Sequence, residues 1–205
     1  MQTSEKALAA ARALEQPFAI AMALFWGCAA RSCHGMHAAI RPLLDELHAI
    51  TAEHQLRYLG TCALILEAQE LIARGECHAA LEHMERALGE LREQEAGLGQ
   101  PWALSIAASA HARLGNAREG LDIIARAFES LERNAERHWE AELWRLKGVL
   151  HLLPPLRDAG EAQACFRRAI EVARRQSARA LEQRAAAALA DADARSDARE
   201  PVPRM

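Results

Sequence analysis

The chain is organised by runs rich in alanine and leucine, and its few Gly and Pro residues fall between these runs rather than inside them. Gly35, Gly75 and Gly115 recur at intervals of 40 residues, each after one helix-like run and before the next. A helix closed by a left-handed residue places glycine there, because it adopts that conformation without strain. Four further rows keep the spacing. Cys28, Ala68, Ala108 and Gly148 are all small. Ile40, Ala80 and Gly120 continue at Ala162; Leu44, Met84, Ile124 and Phe166 are all bulky and apolar; Leu47, Ala87, Ala127 and Ala169 complete the set. The last three rows extend back to Ala7, Ala11 and Leu14. A small residue, a large apolar one four positions on and a small one three further mark one helix face. Small residues let two helices touch, and the large one fills the gap between pairs.

This pattern predicts an unpaired helix over 4–15, then helix pairs at 17–33 with 37–53, 56–73 with 77–94, 101–114 with 117–134, and 138–152 with 159–176. A last unpaired helix covers 178–191, and residues 192–205 read as a disordered tail. Pro17 and Pro101 suit first-turn positions, while Pro154 and Pro155 interrupt the fourth pair with the insertion PPLRDAG. The expected fold is all-α, a right-handed helical-hairpin solenoid in which each pair buries its apolar face against the next. A period of about 40 exceeds the tetratricopeptide length and also suits HEAT or armadillo repeats. The small–large–small pattern of the second helices favours the tetratricopeptide-like type.

Composition agrees with this reading. The 205 residues are 51% hydrophobic but only 4% aromatic, and alanine supplies much of the apolar content. A net charge of −3 provides no global field to hold nucleic acid or an anionic membrane. The charge is uneven: eight glutamates lie within 67–95 and six arginines within 167–184. Glu171 and Glu182 interrupt the arginines and no aromatics interleave, so both stretches read as solvated helix faces. Five cysteines, an odd number without dense spacing, suit a reducing cytoplasm. The longest apolar run, residues 18–30, is too short to span a bilayer. Cys28-Ala29-Ala30 could pass for a cleavage region, but Glu5 and Glu15 stand where a secretion signal carries positive charge.

Two segments carry a resemblance: HWEAELWRLKGVLHL (138–152) and GEAQACFRRAIEVARRQSARALEQRAA (160–186). With EQPFAIAMALFWGCAA (15–30) and LGQPWALSIAASAHARLGNAREGLDIIARA (98–127), they resemble the tetratricopeptide-like C-terminal region of bacterial multidomain ATPases. Those proteins are fused to class III adenylate/guanylate cyclase or LuxR-type DNA-binding domains. The resemblance covers about residues 5–190 and implies a protein-interaction or regulatory module. The family's catalytic parts lie upstream of its repeats, and GxxxxGK[ST] is not found in this sequence. Its two lysines, Lys6 and Lys147, follow no glycine-rich loop. The expectation is a fragment or truncated relative of such a protein. The alternatives are a stand-alone repeat adaptor, a nucleic-acid-binding helical repeat, or a metal- or thiol-dependent enzyme.

Candidate chemistry concentrates in CAARSCHGMH, residues 28–37, where Cys28, Cys33, His34 and His37 are zinc-ligand types. Cys28 and Cys33 are five apart, on different helix faces, and Gly35 ends the helix before Cys33 and His37 can share one. The stretch reads as an inter-helix turn, with no role assigned to His34 or His37. His78 and His83 are also five apart, not the four that HExxH requires. His48, His54, His111, His138 and His151 lack partner motifs and read as partly exposed helix residues. No GxSxG elbow occurs, and Cys62, Cys77 and Cys165 occupy positions where small apolar residues serve. The expectation is therefore no enzyme, no cofactor and no metal. A concave groove lined by first helices would present Gln69, Trp102, Ser105, Ser109, Glu142 and Arg145 to a protein or peptide partner, or to sister domains. A chaperone-tail clamp needs asparagines and lysines there; Asn116 and Asn134 instead sit at a turn and a helix end. Uncapped solenoid ends would also favour self-association.

Overall fold

A computed structural model describes residues 2–33, 36 and 39–197. Helices account for most of these residues, and none of them forms a strand. The chain divides into two compact units, one ending at Gly99 and one starting at Gln100. The first contains α1 (Gln2–Ala13), α2 (Pro17–Cys33), α3 (Arg41–Glu53), α4 (Arg57–Ala73) and α5 (Cys77–Glu93). The second contains α6 (Gln100–Leu114), α7 (Ala117–Asn134), a 3₁₀ turn (Arg137–Trp139), α8 (Glu140–His151), α9 (Ala159–Arg175) and α10 (Arg179–Asp197). Within each unit, every helix packs on its neighbour in sequence. Alternate helices also touch: α2 with α4, α6 with α8, and α8 with α10.

One turn recurs. Gln55, Gly75, Glu95, Gly115 and Ala135 all have positive φ, and each lies twenty residues after the one before. At most of these ends the second residue past the helix cap donates its N–H back five residues, as Leu56 does to Thr51, Glu76 to Leu71 and Asn116 to His111, at 2.9–3.0 Å. Ala178 makes the same bond to Ala173 around Ser177, whose φ is +55°. This closure satisfies carbonyls that the helix end would leave unpaired. Gly75 and Gly115 carry φ of +87° and +79°, as the glycine spacing predicts. Gly35 lies outside the described residues, as do His34, His37 and the side chain of Cys33.

The periodic rows fill the interior. Cys28, Ala68 and Ala108 are fully buried, as are Ala80, Met84, Ala87, Ile124, Ala127, Ala162, Phe166 and Ala169. Gly148 and Gly120 complete the rows because the approach there leaves no space for a side chain. A Cβ on Gly148 would lie 2.5 Å from the Phe166 ring and 2.9 Å from the Ala162 carbonyl oxygen. The backward extension holds only at Ala11, which is buried; Ala7 and Leu14 are exposed, Leu14 lying past the last turn of α1.

Several boundaries differ from those expected, α1 running over Gln2–Ala13 rather than 4–15. The second helix of the first pair starts at Arg41 rather than 37, with Pro42 in its first turn. A 3₁₀ turn precedes α8, whose α-helical part starts at Glu140. The last helix continues to Asp197, six residues into the stretch expected to be a disordered tail. Ala192 is buried against Ala162 and Phe166, and the Gln163 side-chain amide donates to Asp193 at 2.8 Å. Residues 198–205 lie outside those described.

Gly148→Ala is expected to destabilise the protein by about 2 kcal/mol, since the Cβ meets backbone on one side and a packed ring on the other. Gly89→Ala, in α5 with nothing within 4 Å of the new atom, should stabilise by about 0.5–1 kcal/mol. Urea denaturation followed by circular dichroism reads both.

Candidate functional site

The positions expected to line a groove have divergent environments. In the first unit, Gln69 is half-buried on α4. In the second, Trp102 is buried, its ring stacked on Trp139 with centroids 6.1 Å apart and planes at 15°. Ser105 is buried and donates to the Trp102 carbonyl at 2.7 Å, so its hydroxyl is committed to its own helix. Ser109 keeps partial exposure.

Glu142 and Arg145 do come together. The Arg145 guanidinium donates to both Glu142 oxygens, at 2.8 and 2.9 Å, and Arg184 of α10 adds a third bond at 2.9 Å. Burial works against the Arg145 charge, and the Glu142 carboxylate more than offsets it, holding the guanidinium above its ordinary value. Glu142 is only 8% exposed. A carboxylate removed from water to that degree needs such partners. Glu140, also buried, lies 3.6 Å from Arg137 and 3.8 Å from Arg175. The arginine face is largely neutralised: Arg168 pairs with Glu171 and Arg174 with Glu182, alongside the Arg184 and Arg175 contacts.

In the first unit, Glu67 gathers neighbours from two other helices. Arg41 and His48 of α3 each lie 3.3 Å away, and His83 of α5 lies at 3.6 Å. A cleft of about 540 Å³ opens nearby, lined by His48, Gln55, Arg57, Glu90, Glu93 and Gln94 among others. Thr61 donates to Glu90 at 2.7 Å and accepts from Gln94 at 2.9 Å, which ties the end of α5 to α4.

Cys28, Cys62, Cys77 and Cys165 are buried and free of disulfides. Burial pushes the Cys28 thiol up to about 12 and the Cys62 thiol up to about 11, far from the thiolate form a nucleophile needs. Cys28 therefore acts as the small-residue contact its row predicts.

The most exposed large apolar side chains of α2 are Phe18 and Trp26, each 60% exposed, two turns apart on one side of the helix. Phe25 meets Trp26 edge to face at 5.0 Å. Neither is among the positions expected to line a groove. The available signal is that α2 carries no charge before Arg31 and is apolar all round, in a chain with few aromatics. No helix among the described residues is long and apolar enough to cross a membrane.

No protein family matches the sequence, and no curated protein matches it. Among solved structures, the chain is similar to the crystal structure of BtubC (BKLC) from P. vanneervenii. The sequences are 18% identical, the TM-score is 0.65, and the alignment covers 100% of this chain and 93% of that one. At this identity the likeness is one of fold.

Two outcomes are expected. Glu142→Gln leaves Arg145 without its charge partner and should destabilise by about 2 kcal/mol in urea titrations, whereas Glu171→Gln, at an exposed pair, should change stability by under about 0.5 kcal/mol. The buried thiols make stability fall in alkali: the folded state keeps the Cys28 proton from its ordinary 9.0 up to about 12, while the unfolded thiol ionises. That contribution is fully present below pH 9 and is lost as pH rises through the interval. Denaturation midpoints at pH 8 and pH 10.5 should converge less steeply toward unfolding in Cys28→Ala than in wild type.

Proposed function

We propose that this chain is a non-catalytic protein-interaction module of the tetratricopeptide-like type, a right-handed helical-hairpin solenoid with a period of about 40. The recurring left-handed turn, the buried small-residue rows and the contacts between alternate helices support that architecture. On the resemblance described above, the module serves in, or derives from, a bacterial signalling ATPase with a cyclase or DNA-binding output, acting in the cytoplasm. It couples contact with a protein, a peptide or a sister domain to that output.

The observation that carries this reading is the exposed side of α2. Phe18 and Trp26 leave large apolar surface in water, although many of the chain's other large apolar residues are packed away. Exposed aromatics of this size supply the anchors of protein interfaces. Their contact is to an apolar partner surface, and its energy comes from burying rings that are already held by the helix.

The test uses the wild-type chain and a Phe18→Ser/Trp26→Ser double variant as baits in a cell extract, read by quantitative mass spectrometry. The expected result is a defined protein held by wild type and reduced at least tenfold on the variant, with thermal stability changed by less than about 1 kcal/mol. Identical retained sets on the two baits would overturn the reading.

A further inference from the structure

The α8–α9 connection departs from the twenty-residue spacing. Arg157 is the next residue of positive φ after Ala135, two positions later than the period requires, and the PPLRDAG insertion supplies the extra length. The insertion folds back on the end of α8. The Asp158 N–H donates to the His151 carbonyl at 2.8 Å, and the Asp158 carboxylate accepts from the Glu161 N–H at 3.0 Å, capping α9. These two bonds bring the last residue of α8 against the first turns of α9.

Glu161 and Cys165 stand four residues apart on α9, on one helix face. One donor atom each from His151, Glu161 and Cys165 lies within 4.8 Å of the other two. The His151 Nε2 atom is buried and has no hydrogen-bond partner among the described residues. Such an orphan imidazole nitrogen is costly unless something binds it. Cys165 is 3% exposed, so its sulfur is shielded from bulk water, whereas the Glu161 side chain is exposed and free to swing inward.

We propose that His151, Glu161 and Cys165 bind a zinc ion. Imidazole nitrogen, thiolate sulfur and carboxylate oxygen are the three protein donor types zinc uses, and the thiolate disfavours magnesium and calcium. Bond lengths of roughly 2.0–2.3 Å place tetrahedral ligands about 3–4 Å apart. The three donor atoms, each within 4.8 Å of the other two, reach that spacing by small rotations of all three side chains, Glu161 having the most room to move. The Cys165 thiol loses its proton to solvent as the metal binds, and a water molecule completes the fourth position. The ion ties the end of α8 to α9 across the one insertion that lengthens the repeat.

The chain contains its own comparison. One repeat earlier, allowing for the insertion, the same positions hold His111, Glu119 and Ile123. Burial pushes the His111 imidazole below its ordinary value, with the nearby Glu119 carboxylate working against that shift. The histidine–glutamate pairing is thus a feature of the scaffold. The thiol, where the earlier repeat has isoleucine, is what turns it into a ligand set.

The experiment loads the purified, metal-stripped full chain with Zn²⁺ against a chromophoric chelator, and separately with Co²⁺ read by absorption. One zinc per chain is expected, with affinity falling at least about 100-fold in Cys165→Ser and about tenfold or more in Glu161→Gln. The Co²⁺ protein should show a thiolate-to-metal charge-transfer band that disappears in Cys165→Ser and persists in Cys33→Ser. Zinc affinity unchanged in Glu161→Gln, a charge-transfer band surviving in Cys165→Ser, or a band lost in Cys33→Ser would each overturn the assignment. Glu161 is exposed, so its variant decides the matter even where Cys165→Ser perturbs folding.

Discussion

The helix-to-helix steps of this protein depend on a backbone constraint: a residue held at positive φ just beyond the helix, with the next N–H turned back onto the last turn. Residues with side chains resist that conformation by roughly 1–2 kcal/mol, yet Gln55, Glu95, Ala135 and Ser177 adopt it as Gly75 and Gly115 do. The recaptured carbonyls and the burial of flanking apolar residues offset the strain. Helix lengths vary, but the turn residues from Gln55 to Ala135 recur every twenty positions, which sets where each helix begins in the sequence. Ala68 and Ala108 are fully buried in these helices, and in the last pair Gly148 sits where an added Cβ would meet the Phe166 ring and the Ala162 carbonyl.

Close packing explains why the all-helical character and the buried rows were legible from spacing. A residue that must be small, paired with one that must be large four positions on, leaves a signal that repeats with the helix pair itself. The glycine turns were readable for the same local reason. The turns at Gln55, Glu95 and Ala135 were not, because nothing in those side chains favours a left-handed backbone; at Gln55 and Glu95 the closing hydrogen bonds from Leu56 and Ala96 impose it. The end of α10 was unreadable from local pattern as well. Residues 192–197 are polar and alanine-rich, and their helix is held by what Ala192 and Asp193 meet on α9. Tertiary contact there overrides a stretch whose composition reads as tail.

The candidate site was legible only in part, and the reason is again physical. Counting along a helix identifies which residues share a face, but not which of them satisfy one another. Trp102 and Ser105 fell among the groove positions and proved to be buried. Glu142 and Arg145 did meet, yet Arg184 arrives from forty-two residues away to complete their network. No local pattern announces that third partner. Phe18 and Trp26 were hidden by the opposite effect. In a helix apolar all round, sequence offers no contrast to mark which side remains in water.

One scaffold therefore carries three kinds of surface chemistry by changing few residues. Where two buried glutamates, Glu140 and Glu142, face arginines from α9 and α10, desolvation makes the ion pairs obligatory, and the second unit gains specificity in how its last helices seat. Where α2 is apolar up to Arg31, no charge fixes orientation along that stretch, and its exposed rings can meet any complementary surface. Where the turn after α8 is lengthened, a histidine and a glutamate that recur from the preceding repeat gain a thiol. A repeat whose interior is fixed by small-residue contacts leaves the ends and outer faces of its helices free to vary. In this chain, the residues most open to functional change are those that the periodic rows do not use.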